Sequence, residues 1–218
     1  MKKASIFFIA VLFLLASVSA YAYPIYDTEA PLTGTRLESN GGIITSGGWA
    51  ADSLPQRIDW LITDLGGGNW NYKYTFIWFV PLPIDHFTLD LTDDAIRDPN
   101  SVTNVYSSFG PETNYEFGQF ELGIIGVKFD FGYGSPNWWI SFDSNRPPVY
   151  GDFFLENGGP NDIAYNEGVT NHDSGNPFDF VARPNSESAP IPEPATMLLL
   201  GSGLIGLAGY GRKKFFKK

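Results

Sequence analysis

Apolar and polar residues alternate along much of the chain between Tyr23 and Pro190, and this alternation predicts β-strands. The clearest stretch is 70–76, where aromatic side chains occupy every second position. Alternate residues of a strand share a face, and four segments of the chain present apolar faces of this kind: Trp70, Tyr72, Tyr74 and Phe76; Phe87, Leu89 and Leu91; Val127, Phe129 and Phe131; Trp138, Ile140 and Phe142. A slip of one residue would expose these side chains to water, so each pattern specifies its strand register.

Weaker patterns predict further strands at 57–63, 101–106 and 149–155, and the alternation of Phe178 and Phe180 about Asp179 predicts another. Turn-rich stretches such as 66–69 and 157–161 separate these segments. About eight to ten short strands, polar on one side, indicate an all-β fold. We therefore expect an antiparallel β-sandwich over 23–184, with a jelly roll as its nearest variant.

The N-terminus has the three-part pattern of a secretory signal peptide. Lys2 and Lys3 precede an apolar stretch at 6–15, and small residues follow. We predict a signal peptide over the first 22 residues, with cleavage after Ala22 and cleavage after Ala20 as the alternative. Export through the Sec machinery follows from this prediction.

The C-terminus predicts a single transmembrane helix. Residues 195–211 carry no charge, and as a helix they would span about 26 Å, close to the thickness of a hydrocarbon core. A Ser- and Pro-rich linker at 185–191 precedes this sorting segment, which covers 192–218. Five basic residues follow the apolar run and should stay cytoplasmic: Arg212, Lys213, Lys214, Lys217 and Lys218.

Charge and cysteine content exclude several classes of function. The segment between Tyr23 and Pro190 holds 23 acidic and 7 basic residues, a formal charge of about −16 against −10 for the whole chain. Such a surface repels phosphate backbones, so we expect no nucleic-acid partner. The chain has no cysteine, which excludes disulfides, thiolate metal sites and cysteine nucleophiles.

The order Pro192-Glu193-Pro194, a glycine-interrupted apolar run and a basic cluster resembles the PEP-CTERM sorting signal of Gram-negative bacteria. The resemblance implies recognition by exosortase at these three residues, with cleavage nearby, although the basic cluster here is richer in lysine than is usual. The glycines in 201–211 weaken the helix, so we expect processing, with a permanent membrane anchor as the alternative. The stretch 124–152 looks like ectodomains of the same family, which are mostly β-sandwiches.

Closely spaced carboxylates suggest one metal site. Calcium favours several oxygen ligands, and Asp90, Asp93, Asp94 and Asp98 lie close together in the sequence. They lack the pattern of an EF-hand loop. A solvated turn is the alternative interpretation, and we expect no other cofactor.

Two tryptophans are candidates for contact with sugars, because flat aromatic rings stack on the C–H faces of pyranoses. Trp139 opposes the apolar face of its strand, and Trp49 follows two glycines in a predicted loop. If both faces of its strand are covered, Trp139 instead packs in the core. His86 and His172 are isolated in the sequence, and no motif for a nucleophile or a zinc protease accompanies them, so we expect both on the surface.

These observations predict a secreted, non-enzymatic protein of the cell surface or extracellular matrix. Its ectodomain would be structural or adhesive in an exopolysaccharide or biofilm matrix. It would pass through a transient membrane-anchored state with a cytoplasmic C-terminus. Two alternatives remain open: a carbohydrate-binding module, and an exopolysaccharide hydrolase that uses two carboxylates.

Overall fold

The computed structural model describes residues 25–51, 56–78, 84–91, 98, 100–131, 137–158 and 161–185. The predicted signal peptide, the sorting segment and the basic tail lie outside these residues, as do Asp93 and Asp94. Within the described part, no helix combines the length and the apolar character needed to cross a membrane.

The described chain is built almost entirely from antiparallel β-strands, with short 3-10 turns between them. Its fourteen strands are β1 Thr33–Leu37, β2 Ile44–Thr45, β3 Arg57–Gly66, β4 Asn69–Ile77, β5 His86–Asp90, β6 Thr103–Ser107, β7 Gly110–Pro111, β8 Tyr115–Gln119, β9 Ile125–Asp130, β10 Asn137–Ser144, β11 Pro148–Gly151, β12 Phe153–Glu156, β13 Ile163–Tyr165 and β14 Val181–Pro184. The 3-10 turns are Glu38–Asn40, Gly47–Ala51, Glu121–Gly123, Glu167–Thr170 and Pro177–Asp179. The prediction of an all-β chain is confirmed.

Twelve of the strands form two six-stranded sheets. The first sheet has the order β1-β3-β4-β10-β6-β7, and the second has the order β2-β13-β12-β5-β9-β8. Strands β11 and β14 form a separate antiparallel pair. All of the pairings are antiparallel, so the strands alternate between a face that packs inward and one that does not.

Aromatic rings join the inner faces of the two sheets. The rings of Phe76 and Phe87 lie 5.0 Å apart between centroids, and those of Phe129 and Phe142 lie 5.6 Å apart. Trp138 and Phe131 make the closest of these contacts, at 4.0 Å. The sheets therefore pack against each other through side chains of β4 and β10 on one side and of β5 and β9 on the other, as in a β-sandwich.

The strongest sequence patterns predicted their strands and faces correctly. Tyr72, Tyr74 and Phe76 are buried on one face of β4, and Trp138, Ile140 and Phe142 are buried on β10. The predicted turn at 66–69 closes the β3–β4 hairpin, and its three glycines all have positive φ, between 65° and 81°. Side chains are disfavoured in that left-handed conformation, which explains the glycines.

Two of the weaker predictions were wrong in detail. The segment 149–155 is two strands, because the chain pairs with β14 up to Gly151 and then joins the second sheet at Phe153. Asp152 lies between them. Phe178 and Phe180 do not share a strand face, because Asn176 caps a 3-10 turn there; Phe178 is exposed and Phe180 is buried.

Candidate functional site

The second sheet carries polar side chains on the face that points away from the core. In β5, Phe87 and Leu89 belong to the core, while His86, Thr88 and Asp90 lie on the opposite side. We call this side of β5 and of its neighbour β12 the outer face. Across the β5–β12 pairing, His86 lies opposite Glu156.

A cavity of about 350 Å³ adjoins one end of the outer face. Its polar lining comes from four side chains that are distant in sequence, and residues 122–125 and Val169 supply its apolar wall. The four polar residues are Tyr26, Asp90, Asp152 and His172. The peptide N–H of Asp90 donates to the carbonyl of Asp152, 2.9 Å away, which holds these two residues side by side.

The N-terminal segment places Tyr26 in the cavity wall by pairing with β11. The N–H of Asp27 donates to the carbonyl of Tyr150, and the N–H of Tyr150 donates to the carbonyl of Thr28, both at 2.9 Å. The ring of His172 then stacks on that of Tyr26, with centroids 4.4 Å apart. Two loops from opposite ends of the described chain therefore meet over the outer face.

Asp90 is held by a tyrosine and an arginine. The hydroxyl of Tyr26 donates to its Oδ2 at 2.5 Å, and Nε of Arg183 lies 3.1 Å from the same oxygen. Burial raises the pKa of Tyr26 above its usual range, and Asp90 raises it further, so the hydroxyl stays a donor. Burial alone would lower the pKa of Arg183, but Asp90, Tyr26 and Asp27 outweigh it and raise the pKa.

Asp152 is held by an amide and an imidazole. Nδ2 of Asn166 donates to Oδ1 at 2.6 Å, and Nε2 of His172 lies 2.8 Å from Oδ2. Burial raises the pKa of Asp152 to about 6; Asp90 adds to the rise, while the contacts from Asn166 and His172 oppose it. The N–H of Phe153 donates to Oδ1 of Asn166 at 2.7 Å, which orients the amide.

A carboxyl group with a raised pKa beside a second carboxylate is the pairing that acid–base hydrolysis uses. Here, however, both groups are already engaged, and the side chain of Asp152 is only 3% exposed. The arrangement is better explained as a buried polar network. It ties the N-terminal segment and β14 to the second sheet, through Tyr26 and Arg183 on Asp90.

The structure describes two aspartates of the predicted calcium site, Asp90 and Asp98, and each is paired with a different arginine. Asp90 contacts Arg183, whereas Oδ2 of Asp98 lies 3.3 Å from Nη2 of Arg146 and accepts from Asn145 at 2.9 Å. Burial alone would raise the pKa of Asp98, but its hydrogen bonds and Arg146 outweigh burial, so the pKa is lowered. Calcium binding stays a prediction, because Asp93 and Asp94 fall outside the described residues.

The C-terminal segment identifies the family. The profile of the PEP-CTERM protein-sorting motif matches residues 190–213. The chain is a PEP-CTERM sorting domain-containing protein. The match includes Pro192, Glu193 and Pro194 and reaches into the basic cluster, so the motif marks the protein for export, exosortase processing and sorting toward the cell surface. No match to the chain was found among curated proteins or among solved structures.

In this PEP-CTERM protein the two candidate tryptophans have different environments. Trp49 is 0% exposed and packs edge-on against Trp78, with centroids 5.7 Å apart. The prediction that Trp49 contacts a ligand is therefore wrong, because the 3-10 turn Gly47–Ala51 directs its side chain into the core. Trp139 does point away from the core, and it is half-buried with Nζ of Lys73 over its ring at 4.5 Å.

The expectation of a surface position is confirmed for His172, which is exposed, although it also contacts Asp152. The expectation was wrong for His86, which is only 12% exposed and lies 3.1 Å from Oε2 of Glu156. Both partners come from distant parts of the chain. The strand register that brings Glu156 beside His86 has no local signal in the sequence, which is why these contacts were missed.

Proposed function

We propose that this PEP-CTERM protein is a non-enzymatic component of the cell surface or of an exopolysaccharide matrix, with a structural or adhesive role. The match to the sorting motif at 190–213 carries the proposal. After export, exosortase would cut near Pro192–Pro194 and release the β-sandwich from the inner membrane. The strongly acidic body would keep it soluble within a hydrated matrix.

The way in which the last described strand is anchored supports a structural role. All four residues of β14 are buried, and Arg183 binds Asp27 and Asp90 from its centre. Nε of Arg36 donates to the carbonyl of Phe180 at 2.5 Å, just before the strand. The last described strand before the sorting motif is therefore anchored to the sandwich by buried charge, and it would stay in place after the tail is cut.

The absence of enzymatic activity is part of the proposal, and the bonding of the cavity supports it. A general acid or base must reach the proton that it transfers. Both oxygens of Asp152 are instead bonded, to Asn166 and His172, and Oδ2 of Asp90 contacts Tyr26 and Arg183. A substrate would have to displace the contacts of Asp152 before this carboxyl group could transfer a proton.

Carbohydrate binding is the second candidate, and the outer side of the first sheet favours it. Trp139 of β10 points away from the core there, and Tyr106, on the neighbouring strand β6, is 49% exposed. Phe109, at the β6–β7 turn, is exposed as well. Rings on adjacent strands of a sheet form a platform of the kind that stacks on pyranose faces.

The test of sorting is the intact mass of the protein from cells with and without exosortase. We expect the protein to lose the mass of the residues that follow the Pro192–Pro194 region, and to lose it only when the enzyme is present. Glu193→Gln should impair this cleavage, whereas Glu187→Gln in the linker serves as the matched control. An uncut C-terminus in both strains would instead indicate a membrane-anchored protein and overturn the proposed release.

The test of the matrix role follows the released protein. We expect it to co-sediment with exopolysaccharide purified from the same cells, without producing new reducing ends. Release of reducing ends would contradict the non-enzymatic proposal and would point to Asp90 and Asp152. Failure to co-sediment would argue against the adhesive role while leaving the sorting result intact.

A further inference from the structure

A second polar cluster lies on the outer face, and it shares the loop between β8 and β9 with the wall of the cavity. It consists of His86 of β5, Glu156 of β12 and Glu121 of the loop between β8 and β9. One ligand atom from each residue lies within 4.8 Å of the other two, and no other such grouping occurs among the residues that the structure describes. We call these three residues the His86 cluster.

Strand pairing and a tight loop build the cluster. His86 and Glu156 are direct partners in the β5–β12 register. The β8–β9 loop is held by the N–H of Phe120 donating to the carbonyl of Ile124 at 2.8 Å. Leu122 within it has a φ of 55°, a conformation that costs a side-chain-bearing residue energy. This loop carries Glu121 to the outer face beside two residues with which it shares no strand pairing.

Several polar atoms of this region make no hydrogen bond within the described part of the chain. Nε2 of His86 and Oε2 of Glu121 are both fully buried and are among these atoms, although Nε2 of His86 lies within ion-pair distance, 3.1 Å, of Oε2 of Glu156. Thr88, two residues beyond His86 on the same face, is 0% exposed, and its hydroxyl is likewise unpaired. Leaving such atoms unsatisfied costs about 1–3 kcal/mol each, so a ligand that bonds to them would stabilise this part of the outer face.

Among the residues that the structure describes, no lysine or arginine forms an ion pair with Glu121 or Glu156. Two glutamates so close together repel each other unless a positive charge lies between them. Lys128 pairs with Thr88 across β5 and β9, but its ammonium is directed to Glu116, at 3.5 Å, and to Asp130, at 3.9 Å. A simple ion pair between His86 and Glu156 would leave the carboxylate of Glu121 uncompensated.

We propose that His86, Glu121 and Glu156 bind a divalent transition-metal ion, with zinc as the best match. One imidazole nitrogen and two carboxylate oxygens form a mixed ligand set that zinc accepts, whereas calcium prefers oxygen ligands alone. Ligands about 2.0–2.1 Å from a tetrahedral zinc lie about 3.3 Å from one another. The 3.1 Å between His86 and Glu156 is close to that spacing. The bound ion would fasten the β8–β9 loop to β5 and β12.

The composition of the chain makes a selective experiment straightforward. It contains two histidines and no cysteine, so each histidine gives its own ring signals in an NMR spectrum of ¹⁵N-histidine-labelled protein. The full chain is purified in detergent, stripped with EDTA and titrated with ZnCl₂. We expect one zinc ion to bind, the His86 signals to shift, the His172 signals to stay in place, and the unfolding temperature to rise.

Variants separate a metal site from a structural contact. Glu121→Gln should weaken zinc binding by more than about 10-fold, since loss of even an outer-shell partner costs about 10- to 100-fold. Glu116→Gln, on the same hairpin, and His172→Gln should leave the zinc affinity unchanged. The unfolding temperature of Glu121→Gln in EDTA, compared with that of the wild type in EDTA, checks that the fold of the variant is intact. Unshifted His86 signals, or equal zinc affinity in Glu121→Gln and the wild type, would overturn the proposal.

Discussion

Arg183 and Asp90 form a buried ion pair beside the cavity, with Nε of the arginine 3.1 Å from Oδ2 of the aspartate. The Arg183 side chain is 0% exposed, and it also binds Asp27. One guanidinium thus joins the last described strand, the centre of the second sheet and the N-terminal segment. Buried pairs of this kind add little net stability, but removal of one partner leaves an uncompensated charge in the protein interior.

We therefore expect Arg183→Met to destabilise the fold by about 3–5 kcal/mol, the usual cost of an orphaned buried charge. Urea unfolding of the exported protein measures this. Arg57→Met is the matched control, because the Arg57–Asp59 pair is solvent-exposed and should contribute less than about 1 kcal/mol. Adding Asp90→Asn to Arg183→Met should recover part of the loss. Equal effects of Arg183→Met and Arg57→Met would contradict the structural role of the buried pair.

The core strands could be predicted because their signal is local. In β4 and β10 every second side chain is a large apolar one, so burial of one face determines both the strand and its register. The short strands β2 and β7 have two residues each, too few to show a period. Their pairing comes from neighbours that are distant in sequence, and they were missed for that reason.

The polar sites of the body were not predictable from the same patterns. Tyr26, Asp90 and Asp152 meet only because the N-terminal segment pairs with β11 and the chain crosses between sheets at Asp152. The sequence shows carboxylates throughout the body, and nothing local distinguishes these from solvated ones. The sorting motif is the opposite case, because its three parts are contiguous and need no fold to be recognised.

The raised pKa of Asp152 predicts a pH dependence of stability. Its pKa is about 6 in the folded protein, chiefly because of burial, against about 3.9 in an unfolded chain. Folding therefore favours the protonated carboxyl group. The contribution of Asp152 to stability is fully present below about pH 3.9 and is lost as the pH rises through 6. Between these values, ionisation of Asp152 should lower the free energy of unfolding by up to about 1.4 kcal/mol per pH unit.

Asp152→Asn, which cannot ionise, should remove this component. The measurement is the difference in unfolding free energy between the wild type and the variant from pH 4 to pH 7, because carboxylates that do not interact with Asp152 contribute equally to both. We expect the wild type to lose stability relative to the variant as the pH rises. Asp173→Asn, an exposed neighbour of His172, should show no such trend. A constant difference across this range would contradict the burial of an ionisable Asp152.

Two paired glycines of the β8–β9 hairpin should respond differently to substitution. A Cβ on Gly126 would lie 2.0 Å from the carbonyl oxygen of Leu89, so the β5–β9 backbone would have to move. Gly118 is its direct partner, yet a Cβ there would meet the ring of Phe120 only at 3.4 Å. We expect Gly126→Ala to cost more than about 2 kcal/mol and Gly118→Ala less than about 1 kcal/mol. Comparable unfolding midpoints for the two variants would contradict this close approach.

The aromatic platform on the first sheet gives a prediction for carbohydrate binding. Trp139 and Tyr106 lie on neighbouring strands and point away from the core, so a polysaccharide chain crossing the strands would contact both rings. If a ring contact is worth about 0.5–1.5 kcal/mol, each substitution by alanine should weaken binding about 2- to 10-fold. Leu61→Ala, an exposed but non-aromatic position of the same sheet, is the control.

The measurement is affinity electrophoresis of the released protein in gels containing the native exopolysaccharide. Loss of retardation in Trp139→Ala and Tyr106→Ala, but not in Leu61→Ala, would support binding through the rings. The ammonium of Lys73 already lies over the Trp139 ring, so a sugar would have to share or displace this contact. Lys73→Met should then strengthen binding if the lysine competes with the sugar for the ring. Unchanged retardation in all four variants would exclude this side of the first sheet as the polysaccharide contact.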